Sequence, residues 1–441
     1  MRTKFLNRFD YILILCTILL TTIGILFIYS SAFNAMGVMI NKLYVRQTIW
    51  ACAGFALMIF FALYDYRKFY NLSTILYAIL ILLLALTWKF GIERNNAKSW
   101  LGFKSFSIQP SEIGKIIYIL FLAKYLEKSK SQKQLKRFFI AIIIMALPLF
   151  LIFLQPDLGT ASVYLPIFFF MCFIADIPLK YILFALSYGV FSILFTVLPV
   201  IESKVLKTNI PIIHIFTNTK ILLIVIVASL TVTLVGLIGY LLFKKKYYYW
   251  ITCIFGIFTF ALISSVGMRK VLMEYQIMRL VVFVNPQVDP KGFGWHIIQS
   301  ETAVGSGSLW GRGFLKGPQS HLRFTPEQST DFIFSIYSEE MGFVGGMILF
   351  ALFLVLFIRI IYIIKQTNSS YGAYICAGIL GMLFFHFIVN VGMVIGLMPI
   401  TGIPLPFLSY GGSALITDFI AMGLAMSVEN RRLDFSVGSI V

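Results

Sequence analysis

Acidic residues beside long apolar segments are the side chains of this sequence best suited to chemistry. A carboxylate is costly in hydrocarbon, so one that is kept at a membrane boundary usually has a purpose. Asp331 is the leading candidate, because it follows Ser329 and Thr330, two plausible N-cap residues, and precedes the apolar run FIFSIY. A helix N-terminus favours the ionised form that a general base needs. The sequence therefore predicts Asp331 at the start of a helix, either as a base or only as a capping carboxylate.

A strip of small and polar residues extends from Asp331 along the predicted helix. At 100° per residue, Ser335, Ser338 and Gly342 fall within about 40° of Asp331 on one helical face. A polar strip that faced lipid would be costly. This face is therefore expected to line a cavity or to contact another helix.

Two upstream motifs also place charged groups at helix starts. In QPSEIGK, Glu112 and Lys115 are three residues apart and can form an ion pair on one helical face. The pair has a structural interpretation, and a functional one in which Lys115 meets an anionic substrate while Glu112 holds it in place. In QPDLGTA, Asp157 lies between Pro156 and Gly159, which indicates a turn residue first and a site candidate second.

The segment MPITGIPLPFLSYGGSA near the C-terminus is irregular, because proline and glycine recur in it. Such backbone beside a bilayer is tolerated only where protein or a water-filled cavity covers it. His386 and Asn390, one turn apart on the preceding helix, are expected to bind neighbouring helices. The four histidines and five cysteines form no cluster with metal-ligand spacing, so no protein-only metal site is predicted.

The composition identifies the kind of protein that positions these residues. Of the 441 residues, 59% are hydrophobic and only 12% are charged, and the charged share is about half that of a soluble domain. This composition excludes a cytosolic globular enzyme and a disordered chain, and it predicts an all-α polytopic membrane protein. The net charge of +18 comes from Lys and Arg clustered between apolar runs, which favours cytoplasmic loops over nucleic-acid binding.

Apolar runs long enough to cross a membrane recur along the chain. Spanning roughly 30 Å of hydrocarbon takes about 20 helical residues. The twelve predicted helices lie near residues 11–30, 46–64, 72–90, 112–126, 138–154, 160–176, 180–200, 221–243, 248–267, 332–358, 371–396 and 406–427. Lys and Arg predominate on the side of the N-terminus, so both termini are predicted to be cytoplasmic.

One membrane domain, residues 1–441, accounts for the sequence. Its largest extramembrane feature is the segment 268–330, which is predicted to face outward together with the loops at 91–111, 155–159 and 397–405. Connections of this length are usually functional or disordered. An ordered segment is favoured because it contains apolar anchors: Phe293, Trp295, Trp310, Phe314 and Phe324.

Several long motifs resemble those of the SEDS family (shape, elongation, division and sporulation). They are DPKGFGWHIIQSETAVGSGSLWGRG, FTPEQSTDFIFSIYSEEMGFVGG and NVGMVIGLMPITGIPLPFLSYGGSA, with QPSEIGK and QPDLGTA upstream. The resemblance extends from Asp10 to Val428, which is nearly the whole chain. Within the family, DYILIL near the start and DYRKFY after the second helix are more similar to the elongation (RodA) members than to the division (FtsW) members.

The chain departs from the family pattern in two places. The resemblance implies ten transmembrane helices, whereas twelve are predicted, with an apparent inserted pair between residues 179 and 247. Such a pair leaves every later helix in its usual orientation. In NNAKSWLGF, which resembles the family motif NGAxRWL, Ser99 occupies a position where arginine is common.

The resemblance implies a peptidoglycan glycosyltransferase that polymerises lipid II on the outer face of the bacterial cytoplasmic membrane. The aspartate of the family motif PEQxTDFIF is the proposed catalytic residue, and it corresponds to Asp331 here. As a base, Asp331 would take the proton of the acceptor hydroxyl that attacks the anomeric carbon. Undecaprenyl pyrophosphate would leave in one inverting step.

The leaving pyrophosphate requires positive charge, and the acceptor requires a shaped pocket. The candidate cations are Lys115, Arg279, Lys316 and Arg323. A divalent ion brought with the substrate is a further candidate, and no cofactor is expected in the protein itself. Glu327 and Gln328 are expected to shape the acceptor pocket or orient the base; alternatively, they finish the loop and begin the helix cap.

The partners follow from the resemblance as well. They are lipid II, the nascent glycan, a class B penicillin-binding transpeptidase and other elongation-complex proteins, with no nucleic acid. Three other functions stay open, and the first is that of a division-specific (FtsW-type) polymerase. A lipid II flippase or transporter predicts alternating access and ionisable groups near the bilayer midplane. A scaffold without enzyme activity predicts that Asp331→Ala spares polymer formation. The position of the candidate acids at the outer boundary favours the enzyme.

Overall fold

The computed structural model describes residues 10–34, 36–94, 97–103, 106–206, 216, 218–322 and 327–431. These residues form an all-α protein with one small sheet. The fifteen α-helices among them are α1 Tyr11–Ser30, α2 Leu43–Leu63, α3 Phe69–Phe90, α4 Pro110–Lys128, α5 Gln134–Leu154, α6 Leu158–Ile174, α7 Leu179–Ile201, α8 Thr219–Phe243, α9 Lys246–Val271, α10 Glu274–Val284, α11 Phe293–Ser306, α12 Pro318–His321, α13 Ile333–Gln366, α14 Ser370–Val394 and α15 Gly412–Asn430.

The all-α membrane architecture predicted from the sequence is confirmed. Ten helices of the described residues are long and apolar enough to cross a bilayer, so the chain is a multi-pass membrane protein. All twelve predicted helices exist. However, α6 has only 17 residues, and α4 carries charged residues along its length. The number of twelve spans therefore stays a prediction.

The chain forms two compact units. The first combines Met1–Ile177 with His296–Val441, and the second is Pro178–Trp295. In the first unit, α2 packs against α15, and α14 packs against α6, α13 and α4. Its small antiparallel sheet has the order β1 Ile92–Arg94, β2 Ala97–Phe103 and β3 Phe106–Ile108, between α3 and α4.

The second unit is a bundle in which α8 and α9 pair and α9 packs against α7. Its apolar core is formed by Phe195, Phe216, Leu222, Ala261 and Leu262. A short hydrogen bond between the Ser229 and Thr259 hydroxyls, 2.5 Å long, joins α8 to α9. These buried polar groups satisfy each other, as they must inside an apolar helix pair.

The helix that follows Asp331 begins within one residue of the predicted start at 332, but its N-cap differs from the prediction. Its first residue is Ile333 and its N-cap residue is Phe332, which has no capping side chain. The prediction that Ser329 or Thr330 caps this helix was wrong. The reason lies in Glu327, whose backbone is left-handed (φ +53°) and whose carbonyl accepts the N–H groups of Thr330, Asp331 and Phe332. The amides that a cap would satisfy already have an acceptor.

The predicted polar strip on α13 is packed against protein, as expected. The Ser335 hydroxyl donates to the Phe332 carbonyl of its own turn (2.6 Å). Further along, Gly307 and Gly311 approach the backbone of α13 so closely that neither could carry a side chain. The helix is kinked there, because Gly342 adopts φ +66° and ψ −165°. At Ser338 and Gly342 the contact is with the segment that follows α11.

Two adjacent buried glutamates of α13 hold the segment between α11 and α13. Glu339 accepts hydrogen bonds from the N–H groups of Gln319 (2.8 Å) and Ser320 (3.0 Å). Glu340 accepts from the Leu315 N–H (3.1 Å) and from the Ser30 hydroxyl (2.5 Å) at the end of α1. Both side chains are fully buried. The paired carboxylates thus anchor residues 315–320, which include the short helix α12.

The aromatic anchors predicted in this segment are only partly present. Phe314 packs edge-on against Phe27 of α1, with ring centroids 5.8 Å apart. Trp310, in contrast, is 79% exposed, so the described residues bury little of its ring. Phe324 lies outside the described residues.

Candidate active site

Asp331 lies in a tight turn at the entrance to α13. The Glu327 carbonyl accepts the Asp331 N–H (3.1 Å), and the Thr330 hydroxyl donates to the Glu327 carboxylate (3.2 Å). The Glu327 side chain is exposed, Gln328 is buried, and Asp331 is partly exposed. Glu327 and Gln328 therefore finish the loop and shape the turn, and Asp331 is the carboxylate that follows it.

Three hydrogen bonds connect this turn, α14 and the irregular C-terminal segment 397–411. The Asn390 amide donates to the Asp331 carbonyl (2.9 Å) and to the Ile403 carbonyl (2.7 Å), and the Asn390 side chain is fully buried. The Tyr410 N–H donates to the Ser329 carbonyl (2.8 Å). Because Asn390 bridges both segments, the position of the Asp331 backbone depends on α14.

A cavity of about 470 Å³ opens beside this turn. Thr330, the residue before Asp331, lines it together with Tyr410. Arg46 and Trp50, one turn apart on α2, line the opposite part, and Trp100 of β2 completes the aromatic lining. A guanidinium and two indole rings suit an anionic saccharide, because Arg binds phosphate oxygens and aromatic faces pack on sugar rings.

The small sheet brings the NNAKSWLGF motif to this cavity. Trp100 pairs with Ile92 across the antiparallel strands. Successive residues of a strand point to opposite faces, so Ser99 faces away from Trp100, and its side chain is only 2% exposed. In this chain the motif supplies an aromatic side chain to the cavity and no cation from position 99.

Charged residues form a buried cluster between α4, α14 and α15. Glu112 and Lys115 form the predicted ion pair, with Nζ and Oε2 2.7 Å apart, and both side chains are buried. Lys115 also lies 3.2 Å from His386 Nε2, and the other nitrogen of that ring lies 3.1 Å from the Pro404 carbonyl. His386 and Asn390 thus bind the irregular segment. The Lys115 charge is matched by Glu112, as the structural interpretation of the pair predicted.

Asp157 is the N-cap residue of α6, as its proline and glycine neighbours indicated. Its carboxylate accepts from the Thr160 N–H (3.1 Å) and hydroxyl (2.8 Å). It also accepts a hydrogen bond from the Gln109 side chain (2.7 Å). The backbone N–H of Gln109 in turn donates to the Ser413 hydroxyl. Asp157 therefore joins the starts of α4, α6 and α15, and Ser413 lines the cavity.

The other predicted cations lie elsewhere or outside the described residues. Arg279 belongs to the second unit, where its guanidinium lies over the rings of Tyr275 and Phe293 at 5.6 and 5.0 Å. Lys316 is exposed and lines a different cavity, of about 570 Å³, beside His321. Arg323 falls outside the described residues.

Sequence reasoning missed two residues of this region. Arg46 belongs to none of the motifs singled out in the sequence, although it lies on α2 and lines the cavity. Asp418 is a buried acid of α15 whose carboxylate accepts the Phe407 N–H at 3.3 Å. A lone acid within an apolar helix is a functional signal, and that signal was present in LITDFIAMG.

The comparison with protein families covers almost the whole chain. The model of the cell cycle proteins FtsW, RodA and SpoVE matches residues 10–207 and 199–433. The chain belongs to the FtsW/RodA/SpoVE family. A family relative, the peptidoglycan glycosyltransferase RodA of Treponema pallidum, is 50% identical over 433 residues, which cover 98% of this chain and all of the relative.

More distant family members match over similar lengths. The peptidoglycan glycosyltransferase MrdB of Escherichia coli is 31% identical, covering 96% of this chain and 94% of the relative. Among solved structures, a chain of a peptidoglycan synthase complex that coordinates polymerization and crosslinking has a TM-score of 0.67 at 24% identity, with 96% and 98% coverage. RodA of Thermus thermophilus has a TM-score of 0.60 at 23% identity, with 96% and 97% coverage. These structural likenesses establish the family fold.

Proposed function

We propose that this chain is a peptidoglycan glycosyltransferase that joins lipid II units into glycan strands during cell elongation. The enzyme class rests on the full-length likeness to the RodA and MrdB relatives, which carry that name. The observation that carries the mechanism is the Asp331 turn, which Asn390 and Tyr410 fix beside a cavity lined by Arg46.

In the proposed reaction, Asp331 acts as general base. A sugar hydroxyl has a pKa far above 7, so a carboxylate within hydrogen-bond reach must take its proton during attack. The hydroxyl oxygen forms a bond to the anomeric carbon of the donor as the bond from that carbon to the pyrophosphate oxygen breaks. The proton passes to Asp331, and undecaprenyl pyrophosphate leaves with the electron pair. Attack opposite the leaving group inverts the α-linked donor into a β-linked glycan.

Arg46 is the best-placed cation for the leaving pyrophosphate. It is exposed and lines the cavity beside Thr330. Lys115, in contrast, is buried and its charge is matched by Glu112. Preorganised positive charge at the leaving group lowers the barrier, because the negative charge develops there in the transition state. A divalent ion bound to the pyrophosphate would enter as part of the substrate.

The partner and the membrane side belong to the same proposal. A class B penicillin-binding transpeptidase would crosslink the strands that this chain makes, together with other elongation proteins. The structural likeness to a peptidoglycan synthase complex supports such a partner. The excess of Lys and Arg in the loops on the side of the N-terminus supports cytoplasmic termini and an active site on the outer face of the cytoplasmic membrane.

One observation favours a second function, transport of lipid II across the membrane. Glu112, Lys115, His386 and Asp418 are all buried within helices that pack together. Ionisable groups inside membrane proteins are common in transport pathways. The two functions predict different products from the same substrate, so one experiment separates them.

The experiment reconstitutes the full chain with its transpeptidase partner in vesicles that contain lipid II. A polymerase converts lipid II into glycan strands, detected by gel electrophoresis, and Asp331→Ala abolishes that product while the variant still folds and binds the partner. A transporter moves lipid II between leaflets and makes no strands. Equal strand formation by native protein and Asp331→Ala would leave Asp331 without a catalytic role.

A further inference from the structure

One end of the second unit carries an unusual concentration of lysine and aromatic residues. The sequence LLFKKKYYYW connects α8 to α9, and only Lys244 and Lys245 lie between the two helices. Lys180 is near the start of α7, which lies at the same end because Phe184 of α7 contacts Trp250 of α9. All four lysine side chains are exposed. We call Lys180, Lys244, Lys245 and Lys246 the basic end.

Aromatic rings surround the basic end and pack on one another. Tyr247 and Tyr248 have ring centroids 4.2 Å apart, and Tyr248 stacks on Phe243 at 5.7 Å. Trp250 reaches across to Phe184 of α7, at 6.2 Å. The Lys180 ammonium lies 5.1 Å from the centre of the Tyr181 ring. Tyr247 and Trp250 are each 52% exposed, so they face the surroundings of the protein.

The acid nearest in sequence to the basic end is Asp176, which is exposed and precedes Lys180 by four residues, and the second unit itself adds no acid there. Between Glu202 and Glu274 the sequence contains no Asp or Glu. The acidic residues of the second unit are Glu202, after the end of α7, Glu274, at the start of α10, and Asp289. Glu202 lies at the opposite end of α7 from Lys180, and Glu274 follows the end of α9 that is remote from Lys246. At that other end, Lys204 and Glu274 form an ion pair, with 3.1 Å between nitrogen and oxygen.

Helix electrostatics do not account for this arrangement. A lysine after the C-terminus of α8 complements the helix dipole, but Lys245 and Lys246 lie at the start of α9, where positive charge is unfavourable. Lys244 is also left-handed (φ +51°), a conformation in which glycine is preferred. The chain thus concentrates positive charge at Lys244, Lys245 and Lys246, although the helix dipole of α9 and the left-handed backbone of Lys244 both disfavour it.

We propose that the basic end is a binding surface for anionic phospholipid headgroups. Lysines next to a membrane attract anionic lipids, and the contributions of neighbouring lysines add. Tyrosine and tryptophan rings prefer the headgroup level of a bilayer. The aromatic residues around the basic end therefore place its lysines at the depth of the lipid phosphates. The positive charge predicts that this end faces the cytoplasmic leaflet. The surface is independent of the Asp331 site and of its proposed reaction.

The test measures lipid binding to the full chain in detergent by native mass spectrometry. The probes are dioctanoyl phosphatidylglycerol, which is anionic, and dioctanoyl phosphatidylcholine, which is zwitterionic. The native protein is expected to bind the anionic lipid at least tenfold more tightly. The triple variant Lys244→Ser, Lys245→Ser, Lys246→Ser is expected to lose that preference. The charge-preserving triple replacement by Arg at the same positions is expected to keep it.

The matched control removes three exposed lysines of the first unit, by Lys128→Ser, Lys133→Ser and Lys136→Ser. It changes the net charge by the same amount and is expected to bind both lipids like the native protein. Glycerol 3-phosphate carries a phosphate but no acyl chains, so it tests whether the site binds a lipid or any soluble phosphate. It should not compete with the anionic lipid. Equal binding of the anionic lipid by the Ser triple and the native protein would overturn the proposal. Full competition by glycerol 3-phosphate would also overturn it.

Discussion

At the scale of single residues, Asp331 is positioned through its backbone. Asn390 donates to its carbonyl, and the Glu327 carbonyl accepts its N–H. Asp331 is partly exposed, and its neighbour Thr330 lines the cavity. A base held in this way needs little reorganisation during reaction, which is what catalysis by positioning requires.

Replacing Asn390 tests that positioning. Asn390→Ala removes both bonds and is expected to lower kcat for lipid II polymerisation by roughly 10- to 100-fold, because a shift of about 1 Å in a catalytic group has effects of that size. KM should change little, since Asn390 is buried and does not line the cavity. The measurement is the dependence of the polymerisation rate on lipid II concentration.

The control for Asn390→Ala is Ser335→Ala, which removes a buried hydrogen bond within the first turn of α13. Its kcat should stay within about twofold of the native value, while both variants keep a cooperative thermal transition. A native kcat in folded Asn390→Ala would show that the bridge does not position the base.

The buried ion pair predicts a characteristic pattern of stabilities. Lys115→Met leaves the Glu112 carboxylate buried without its cation, and loss of one partner in a buried pair typically lowers the free energy of unfolding by about 3–5 kcal/mol. Glu112→Gln with Lys115→Met removes both charges, so the double variant should be more stable than Lys115→Met alone. Thermal unfolding in one detergent gives the comparison. A double variant that is less stable than Lys115→Met would refute the pairing.

Several residue roles were predictable from the sequence, and others were not. The spacing of Glu112 and Lys115 predicted their ion pair, and Pro156 and Gly159 identified Asp157 as a turn residue. The contact of Asn390 with Asp331 joins positions 59 residues apart, so no local pattern contains it. Arg46 lines the site because α2 packs on α15, a long-range contact of the same kind.

At the scale of elements, the kink in α13 decides where the segment after α11 can dock. Gly342 brings the backbone of Leu309 and Gly311 against the helix, where a Cβ atom would lie 2.8 Å from the Leu309 carbonyl oxygen. Glu339 and Glu340 lie just before the kink and bind the same segment. Docking of this segment and the shape of α13 are therefore coupled.

Gly342→Ala tests this coupling. Its left-handed backbone (φ +66°) and the close contact should lower the free energy of unfolding by about 1–3 kcal/mol and loosen the segment. The measurements are thermal unfolding and the rate of proteolysis between residues 307 and 317.

The matched control is Gly346→Ala, one turn further along α13, where an added Cβ meets nothing within 4 Å. Helical Gly→Ala changes of this kind are neutral or stabilise by about 0.5–1 kcal/mol. Equal stability and equal proteolysis of Gly342→Ala and Gly346→Ala would contradict the role of the kink.

Helix positions were more predictable than helix boundaries. The apolar runs located all twelve predicted helices, because length and hydropathy are local properties of the sequence. The N-cap of α13 was predicted wrongly, because the Glu327 carbonyl already accepts the amides that a cap would bind. The two buried glutamates of YSEEMGF were missed as anchors, because their partners lie 19 to 25 residues earlier.

At the scale of the whole molecule, the proposed orientation predicts which residues are accessible from outside the cell. Glu93 in β1 and Lys133 before α5 are both exposed. Glu93 precedes α4 and Lys133 follows it, so the two residues lie toward opposite ends of that helix. In a background without native cysteines, Glu93→Cys should react with a membrane-impermeant maleimide on intact cells. Lys133→Cys should react only after permeabilisation. The reverse pattern would place the Asp331 site on the cytoplasmic side.

The family and fold could be predicted from the sequence, because the motifs and the apolar runs are contiguous segments of it. The single membrane domain, residues 1–441, stays a prediction. The apparent inserted pair between residues 179 and 247 lies within the second unit, Pro178–Trp295.

The central claim is that the Asp331 carboxylate accepts the proton of the attacking hydroxyl. The most direct measurement is the rate of lipid II polymerisation by purified Asp331→Asn, compared with the native protein and with Glu93→Gln, which removes an exposed carboxylate from β1. Removing a general base typically lowers the rate by about 10²–10⁴-fold, so Asp331→Asn should show a loss of that order while Glu93→Gln remains active. Strand synthesis by folded Asp331→Asn at the native rate would contradict the account.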